Sequence, residues 1–295
     1  MASIDSQNQP SSIRTVRYKP SAASTGPVEL RRIADLAKAA ATGEFTGTQR
    51  LGFDLILHIE SGHTTHEVDF TRYRLGPGDI LWAHTGQVQQ WGDIHAIDGH
   101  ALLANADALA PGTHALLTQL GVYSRVHWPA AAGEDSELSQ IFDAIKACAA
   151  VDADNSSAAR DMAIAHLATA AILVLAEAEH SASSIRPPPN ERLQQFHTEV
   201  DQNFATDRTV EGYAQRLHCS PRTLNRLVRD QTGRSPKDII DDRVALEARR
   251  RLAHEDAGVA AIARSLGFDD PANFTKFFRR RTGLTPEQFR SGYRR

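Results

Sequence analysis

Four times in the C-terminal third a small polar residue stands directly before proline: Ser220-Pro221, Ser235-Pro236, Asp270-Pro271 and Thr285-Pro286. Ser, Asp and Thr accept hydrogen bonds from the free N–H groups of a helix's first turn. Proline, which has no N–H, fits the first helical position. Each pair therefore reads as a helix start, as does Thr209 without a proline. Gly233, Gly267 and Gly283 stand where helices should stop, because glycine takes the left-handed conformation that closes a C-terminus. These marks cut the region into short helices at 192–204, 210–217, 221–230, 236–254, 259–266, 271–282 and 286–293. A chain punctuated this densely folds as a cluster of short rods and not as a coiled coil.

Two stretches share one plan. Residues 210–232 hold a short helix, the tight turn His218-Cys-Ser220, and a second helix closing at Gly233. Residues 259–282 repeat it, with Gly267-Phe-Asp-Asp270 as the turn and Gly283 as the stop. Each is a helix-turn-helix by length and punctuation. The helix 236–254 joins them and, at about 1.5 Å per residue, extends roughly 28 Å. Successive major-groove faces on one side of DNA lie about 34 Å apart, so the connector can hold two reading helices close to one turn apart.

The second helix of each motif has two faces. In the first, Leu224, Leu227 and Val228 form an apolar stripe, and Arg222, Asn225, Arg226 and Arg229 fall mostly on the other side. Arg pairs in two-pronged fashion with guanine, and Asn does the same with adenine. In the second, Phe274, Phe277 and Phe278 form the stripe, while Ala272, Asn273 and Lys276 face outward and Arg279–Arg281 follow. That set suits contact with a thymine methyl and grip on phosphate. Charge agrees: residues 191–295 carry 20 Lys+Arg against 15 Asp+Glu, a net +5, and residues 1–190 carry −8. The alternative is a helical bundle with solvated arginines, and one such motif alone would leave that ahead. Two in tandem, with caps, connector length and basic faces in agreement, outweigh it.

The run Ile262-Ala-Arg-Ser-Leu-Gly-Phe-Asp-Asp-Pro-Ala-Asn-Phe-Thr-Lys-Phe-Phe278, with Gly283-Leu-Thr-Pro286 and Phe289-Arg290, resembles the signature of the AraC/XylS family of bacterial transcription regulators. The resemblance covers about residues 192–295. It implies base-contact positions at Arg222, Asn225 and Arg226 in the first reading helix and at Ala272, Asn273 and Lys276 in the second; the basic faces themselves put Arg229, Arg279, Arg280 and Arg281 near phosphates. Pro271 also falls on a position the family often contacts, and its ring nitrogen has no hydrogen to donate.

The front of the chain has a different texture. Pro187, Pro188 and Pro189 cannot continue a helix, so residues 183–190 read as a linker. Residues 1–28 are Ser-, Gln- and Pro-rich and read as a disordered lead-in without the apolar core of a signal peptide. Between them, residues 29–182 form the expected sensor domain. Short strands recur over 50–105, at 53–59, 66–70 and 80–82, with the turn Gly76-Pro-Gly-Asp79. Turns about every ten residues suggest an all-β barrel or sandwich. Residues 136–149 and 157–180 read as helices. In the second, Ile164, Leu167, Ala168, Ala171, Ile172 and Leu175 form one apolar stripe. The expected fold class is α+β: a cupin-like N-terminal β-barrel with following helices, then an all-α domain with two helix-turn-helix motifs joined by a long helix.

The strand region resembles the cupin-like ligand-binding domain that many AraC/XylS regulators carry. Cupins can also be metal enzymes, and their metal motifs can be laid on the residues. Gly52 precedes His58 at the right spacing, but Glu60 replaces the second histidine. In the second motif Gly78, His84, Gly86, Gln89 and Asp93 take the positions in turn, so the ligand histidine has become Gln89. A glutamine amide is a poor substitute for imidazole on a catalytic transition metal. The framework is kept without the metal chemistry, which favours a metal-free pocket. His58, His63, His66, His84, His95 and His100 read as surface or hydrogen-bonded histidines. An effector would sit inside the barrel, with Phe53, Leu55, Leu57, Trp82, His84 and Trp91 as candidate lining.

Cys148 and Cys219 are too few for a disulfide scaffold and fit a reducing cytosol. No apolar run reaches the roughly 20 residues of a bilayer span; 162–176, which contains His166 and Thr169, reads as a buried helix. The chain therefore reads as a cytoplasmic transcription regulator without catalytic residues, metal or cofactor. Its partners would be double-stranded DNA, a small-molecule effector, RNA polymerase if it activates, and a second copy through residues 136–180. The alternatives are a cupin-type metalloenzyme fused to a helical interaction domain and an architectural DNA binder that senses nothing.

Overall fold

A computed structural model of the chain describes residues 14–17, 26–40, 47–105, 108–110, 113, 116–117, 125–130, 137–150, 158–182 and 191–293. The expected linker at 183–190 and most of the lead-in at 1–28 lie outside the described residues. The chain divides into two compact units, Thr15–Gln194 and Gln195–Arg295.

The N-terminal unit holds ten strands: β1 Arg14–Val16, β2 Val28–Arg32, β3 Thr48–Leu51, β4 Asp54–Gly62, β5 Thr64–Val68, β6 Thr71–Leu75, β7 Ile80–Ala83, β8 Val88–Trp91, β9 Ile97–Ala104 and β10 His127–Trp128. They form two five-stranded sheets, ordered β1-β3-β8-β5-β6 and β10-β7-β4-β9-β2. The expected closed barrel is therefore corrected to two open sheets. Each keeps its own edge strands, and no ladder among the described residues joins one sheet to the other.

Strand β4 explains why the sequence is apolar at four of the five positions from Leu55 to Ile59. Leu55, Leu57 and Ile59 point between the sheets, where they meet Leu51, Val68, Leu75, Leu81, Leu103 and Trp91. Helix α1, Ile33–Ala40, adds Ile33, Leu36 and Ala37 to that core. Ile56 points the other way, with Trp82, Leu102 and Trp128, under two helices, α2 Glu137–Ala149 and α3 Ala158–Ala182. A strand covered on both faces loses the alternation of a half-exposed one. Helix α3 contributes Ile164, Ala168, Ile172, Leu175 and Ala176 to this second core. Its segment Ala158–Glu177 is, by length and composition alone, long and apolar enough to cross a membrane. The length expectation is thereby exceeded, and the expected buried helix is what the structure shows. The stripe that faces the sheet and α2 gives the segment a role as a core helix.

The C-terminal unit is helical: α4 Glu191–Asn203, α5 Val210–Arg216, α6 Pro221–Thr232, α7 Pro236–His254, α8 Val259–Ser265, α9 Pro271–Thr282 and α10 Pro286–Tyr293. The start signals act as expected. The side chains of Thr209, Ser220, Ser235 and Asp270 each accept a first-turn N–H. At α10, Thr285 and Gln288 exchange backbone and side-chain bonds in a capping box. Helix α7 is the spine: α6, α8, α9 and α10 all pack against it. Ile240, Val244, Ala248 and Leu252 are its buried stripe.

Candidate nucleic-acid interface

Helices α6 and α9 are built alike. Each is 12 residues long, with proline in its first turn and a left-handed glycine at its end, Gly233 at φ 70° and Gly283 at φ 79°. Leu224 and Val228 bury one side of α6. Phe274, Phe277 and Phe278 bury one side of α9. What remains outward is the basic side. Arg222, Arg226 and Arg229 on α6, and Ala272, Asn273, Lys276, Arg279 and Arg280 on α9, are exposed. Asn225 is only half exposed, and its Nδ2 donates to Pro221 O at 3.0 Å. In the free protein its amide is turned onto its own helix.

The arginines at the end of α9 divide. Arg281 is not a surface cation. Its Nη2 donates to Asp241 at 2.9 Å and Asp238 at 3.1 Å, and its Nη1 to Asp242 at 3.3 Å. Asp241 is almost fully buried and is shared with Lys237 at 2.7 Å. Hydrogen bonds from Ser235 and then Arg281 hold Asp238 below the usual carboxylate range. The expectation that Arg281 sits near phosphate is corrected: it bolts α9 to α7. Arg280 lies 3.6 Å from Asp241 and stays 69% exposed. Arg222, Arg226, Arg229, Lys276 and Arg279 make no ion pair among the described residues.

A helix-turn-helix family profile matches residues 213–292. The HTH-type transcriptional activator RhaS of Escherichia fergusonii is 35% identical over 101 residues, 34% of this chain and 36% of the relative. The C-terminal third is an AraC-family helix-turn-helix domain. RhaS of Klebsiella pneumoniae strain 342 is 26% identical over 250 residues, 81% of this chain and 86% of that protein. A solved structure of the AdpA DNA-binding domain with a target DNA is 30% identical to this AraC-type domain, with a TM-score of 0.34, over 36% of this chain and 95% of that one. For most of the first curated relatives the matched region spans about a third of their length.

In the N-terminal unit the structure splits the expected effector lining. Phe53, Leu55, Leu57 and Trp91 lie in the core between the sheets. Trp82 does not. It pairs with Ile56 across the β4–β7 ladder and faces α2 and α3. His84, two residues on, is on the same side, its ring 4.4 Å from Trp82. Their anchor is Asp54, which accepts from Trp82 Nε1 at 3.2 Å and from Thr85 N and Oγ1 at 2.7 and 2.8 Å. Burial pushes Asp54 up, but the His84 contact and the two Thr85 bonds outweigh it and hold the carboxyl below its ordinary range.

Sequence reasoning missed the polar groups inside the sandwich. His66, read there as a surface or hydrogen-bonded histidine, is 1% exposed, edge-on to Trp91 with ring centroids 4.7 Å apart. Neither of its ring nitrogens makes a hydrogen bond. Burial pushes its pKa down to about 4 and outweighs an upward pull from Gln89, so the ring is neutral at ordinary pH. Gln89 and Gln49, both 2% exposed, sit opposite each other across the β3–β8 ladder. Gln89 Nε2 donates to Gln49 Oε1 at 3.2 Å, while Gln89 Oε1 is buried without a partner. The alternation His66, Val68 along β5 was the available signal. No group of three or more His, Cys, Asp or Glu side chains converges among the described residues.

Proposed function

We propose that the protein is a sequence-specific, double-stranded-DNA-binding transcription regulator and not an enzyme, controlled by a small molecule held in its N-terminal unit. Helices α6 and α9 enter successive major-groove segments. Arg222, Asn225 and Arg226 read base edges from α6. Ala272, Asn273 and Lys276 face bases from α9. Arg229, Arg279 and Arg280 grip phosphate. The observation that carries this reading is the pair of 12-residue helices on one spine, each opened by a capping side chain and proline, closed by a left-handed glycine, and cationic on its outward face. Asn225 must leave Pro221 O to reach a base, a single rotamer change.

The effector would occupy the space between the sheets, against Phe53, Leu55, Leu57 and Trp91. His66 and Gln89 would supply its hydrogen bonds, since the His66 ring nitrogens and Gln89 Oε1 are buried without one, such atoms are costly and a ligand can satisfy them. Trp82 and His84 belong to the opposite core and are left out. Helices α2 and α3 are the proposed homodimer surface; on α3, Met162 is 61% exposed. The protein would act in the cytoplasm, without a cofactor, and would touch RNA polymerase if it activates. The regulatory role is also supported by the relatives, which are named as transcriptional activators.

Selection of duplexes from a random-sequence pool by the full chain gives the operator. On that operator and its single-base variants, Arg226→Ala should cost about 1–3 kcal/mol at one base position. Equal weakening on every sequence would reduce Arg226 to a phosphate contact. Failure to retain any duplex at low salt would remove the DNA reading altogether.

A further inference from the structure

The two reading helices can act together only if their separation is fixed, and α7, on which both motifs pack, is not the sole link between them. One side chain bridges them directly. Arg208, in the loop ahead of α5, donates from Nη2 to Gly267 O at 2.7 Å. Its guanidinium carbon also lies over the Phe268 ring, 3.6 Å from the centroid. Gly267 and Phe268 form the turn of the second motif. Phe268 in turn packs against Phe274 and Phe277 of the second reading helix, with centroids at 5.2 and 5.1 Å.

The base on which Arg208 stands is itself rigid. Asp207 accepts from Thr209 N at 2.9 Å and Thr209 Oγ1 at 2.8 Å, and Tyr213 Oη donates to Asp207 O at 2.8 Å. Lys237 of α7 donates to Arg208 O at 2.9 Å. The backbones also meet closely here. Gly267 has φ +74°, and a Cβ on it would stand 2.6 Å from Ala205 O. Only glycine lets the second motif's turn approach the loop of the first this closely.

We propose that Arg208 is a positioning residue for DNA recognition, a clamp that holds the two helix-turn-helix motifs at one separation. The proposal rests on the DNA-binding reading but can be judged without it. Two modules held rigidly at the right spacing gain effective concentration, and loosening the link gives part of it back. Arg suits the task because its plane stacks and donates at once; lysine can reach the carbonyl but cannot stack as a plane.

The test uses the full chain with Cys148→Ser and Cys219→Ser. Spin labels are placed on Arg222→Cys and Ala272→Cys, and the inter-label distance distribution is measured. Arg208→Ala should broaden it, and Arg208→Lys should fall between. In parallel, the chain with α6 and α9 unlabelled is tested on a duplex selected from a random pool, with one or two base pairs inserted between the two contacted segments. Wild type should discriminate steeply between spacings. Arg208→Ala should bind the best spacing about tenfold more weakly and lose most of the discrimination, because effective concentration is set by linkage. Unchanged distance width together with unchanged spacing preference overturns the clamp. If Arg208→Ala does not fold, Arg208→Lys decides by the same two measurements: broader supports it, equal to wild type overturns it. If wild type retains no duplex, the DNA reading fails, and the distance measurement still judges the clamp.

Discussion

His66 offers a quantitative test of how the sandwich interior is arranged. Its ring is buried without hydrogen bonds at either nitrogen, and burial pushes its pKa to about 4, against about 6.5 in an unfolded chain. Between those values the unfolded state binds the proton and the folded state does not, so stability is at its full value above about pH 6.5 and falls as the pH drops. At about 1.36 kcal/mol per pK unit, the loss contributed by His66 is about 2 kcal/mol on going from about pH 7 to about pH 5, and about 3 kcal/mol by about pH 4. His66→Leu removes the titration while keeping an apolar side chain against Trp91. The variant should be about as stable as wild type or up to about 1–2 kcal/mol more stable at neutral pH, because it also removes two orphaned polar atoms. The assay is urea unfolding followed by tryptophan fluorescence. All three tryptophans, Trp82, Trp91 and Trp128, lie in the N-terminal unit, so the signal reports that unit alone. Asp54, on the other core, titrates in both proteins and drops out of the comparison. With a typical slope of about 1–3 kcal/mol per molar, the midpoints should separate by about 1 M urea at about pH 5. If the two proteins lose stability in parallel as the pH falls, His66 is not the buried neutral ring described here.

Two further outcomes follow from the C-terminal unit. Arg281→Ala should destabilise that unit by about 2–3 kcal/mol, less than the loss of an isolated buried pair because Lys237 still faces Asp241; thermal melting followed by helical circular dichroism measures it, and an unchanged melting curve would return Arg281 to the surface set. Lys276→Ala should weaken DNA binding by a similar factor on all sequences and lower the salt slope by about one if its partner is phosphate, or weaken it at one base position if its partner is a base edge, and titrations across salt concentration separate these cases.

Local chemistry made most of the C-terminal unit legible. A helix start is decided by which side chain can accept a first-turn N–H, and Ser220, Ser235, Asp270 and Thr285 announce themselves within a few residues. The apolar stripe of each reading helix is equally local, because residues three and four apart share a face. In the N-terminal unit the strands read at 53–59, 66–70 and 80–82 overlap β4, β5 and β7, and the other strands were not placed individually. Strand faces were not legible. Trp82 and Trp91 look alike in sequence, yet one packs under α2 and α3 and the other between the sheets. Strand side chains alternate, and which side is interior depends on what covers the sheet.

The same limit applies to charge. From sequence Arg279, Arg280 and Arg281 form one basic run. Only packing separates them, because the carboxylates of Asp238, Asp241 and Asp242 that claim Arg281 come from α7, some forty residues away in the chain. Arg208 is the extreme case, with no local pattern to mark it, since its partners Gly267 and Phe268 lie 59 and more residues further on. The chain's own residues therefore dictated where helices begin and end and which side of each is greasy. Tertiary structure alone assigned the long-range partners, because a hydrogen bond or a stacked ring depends on proximity in space, and proximity between distant segments is written only in the folded whole.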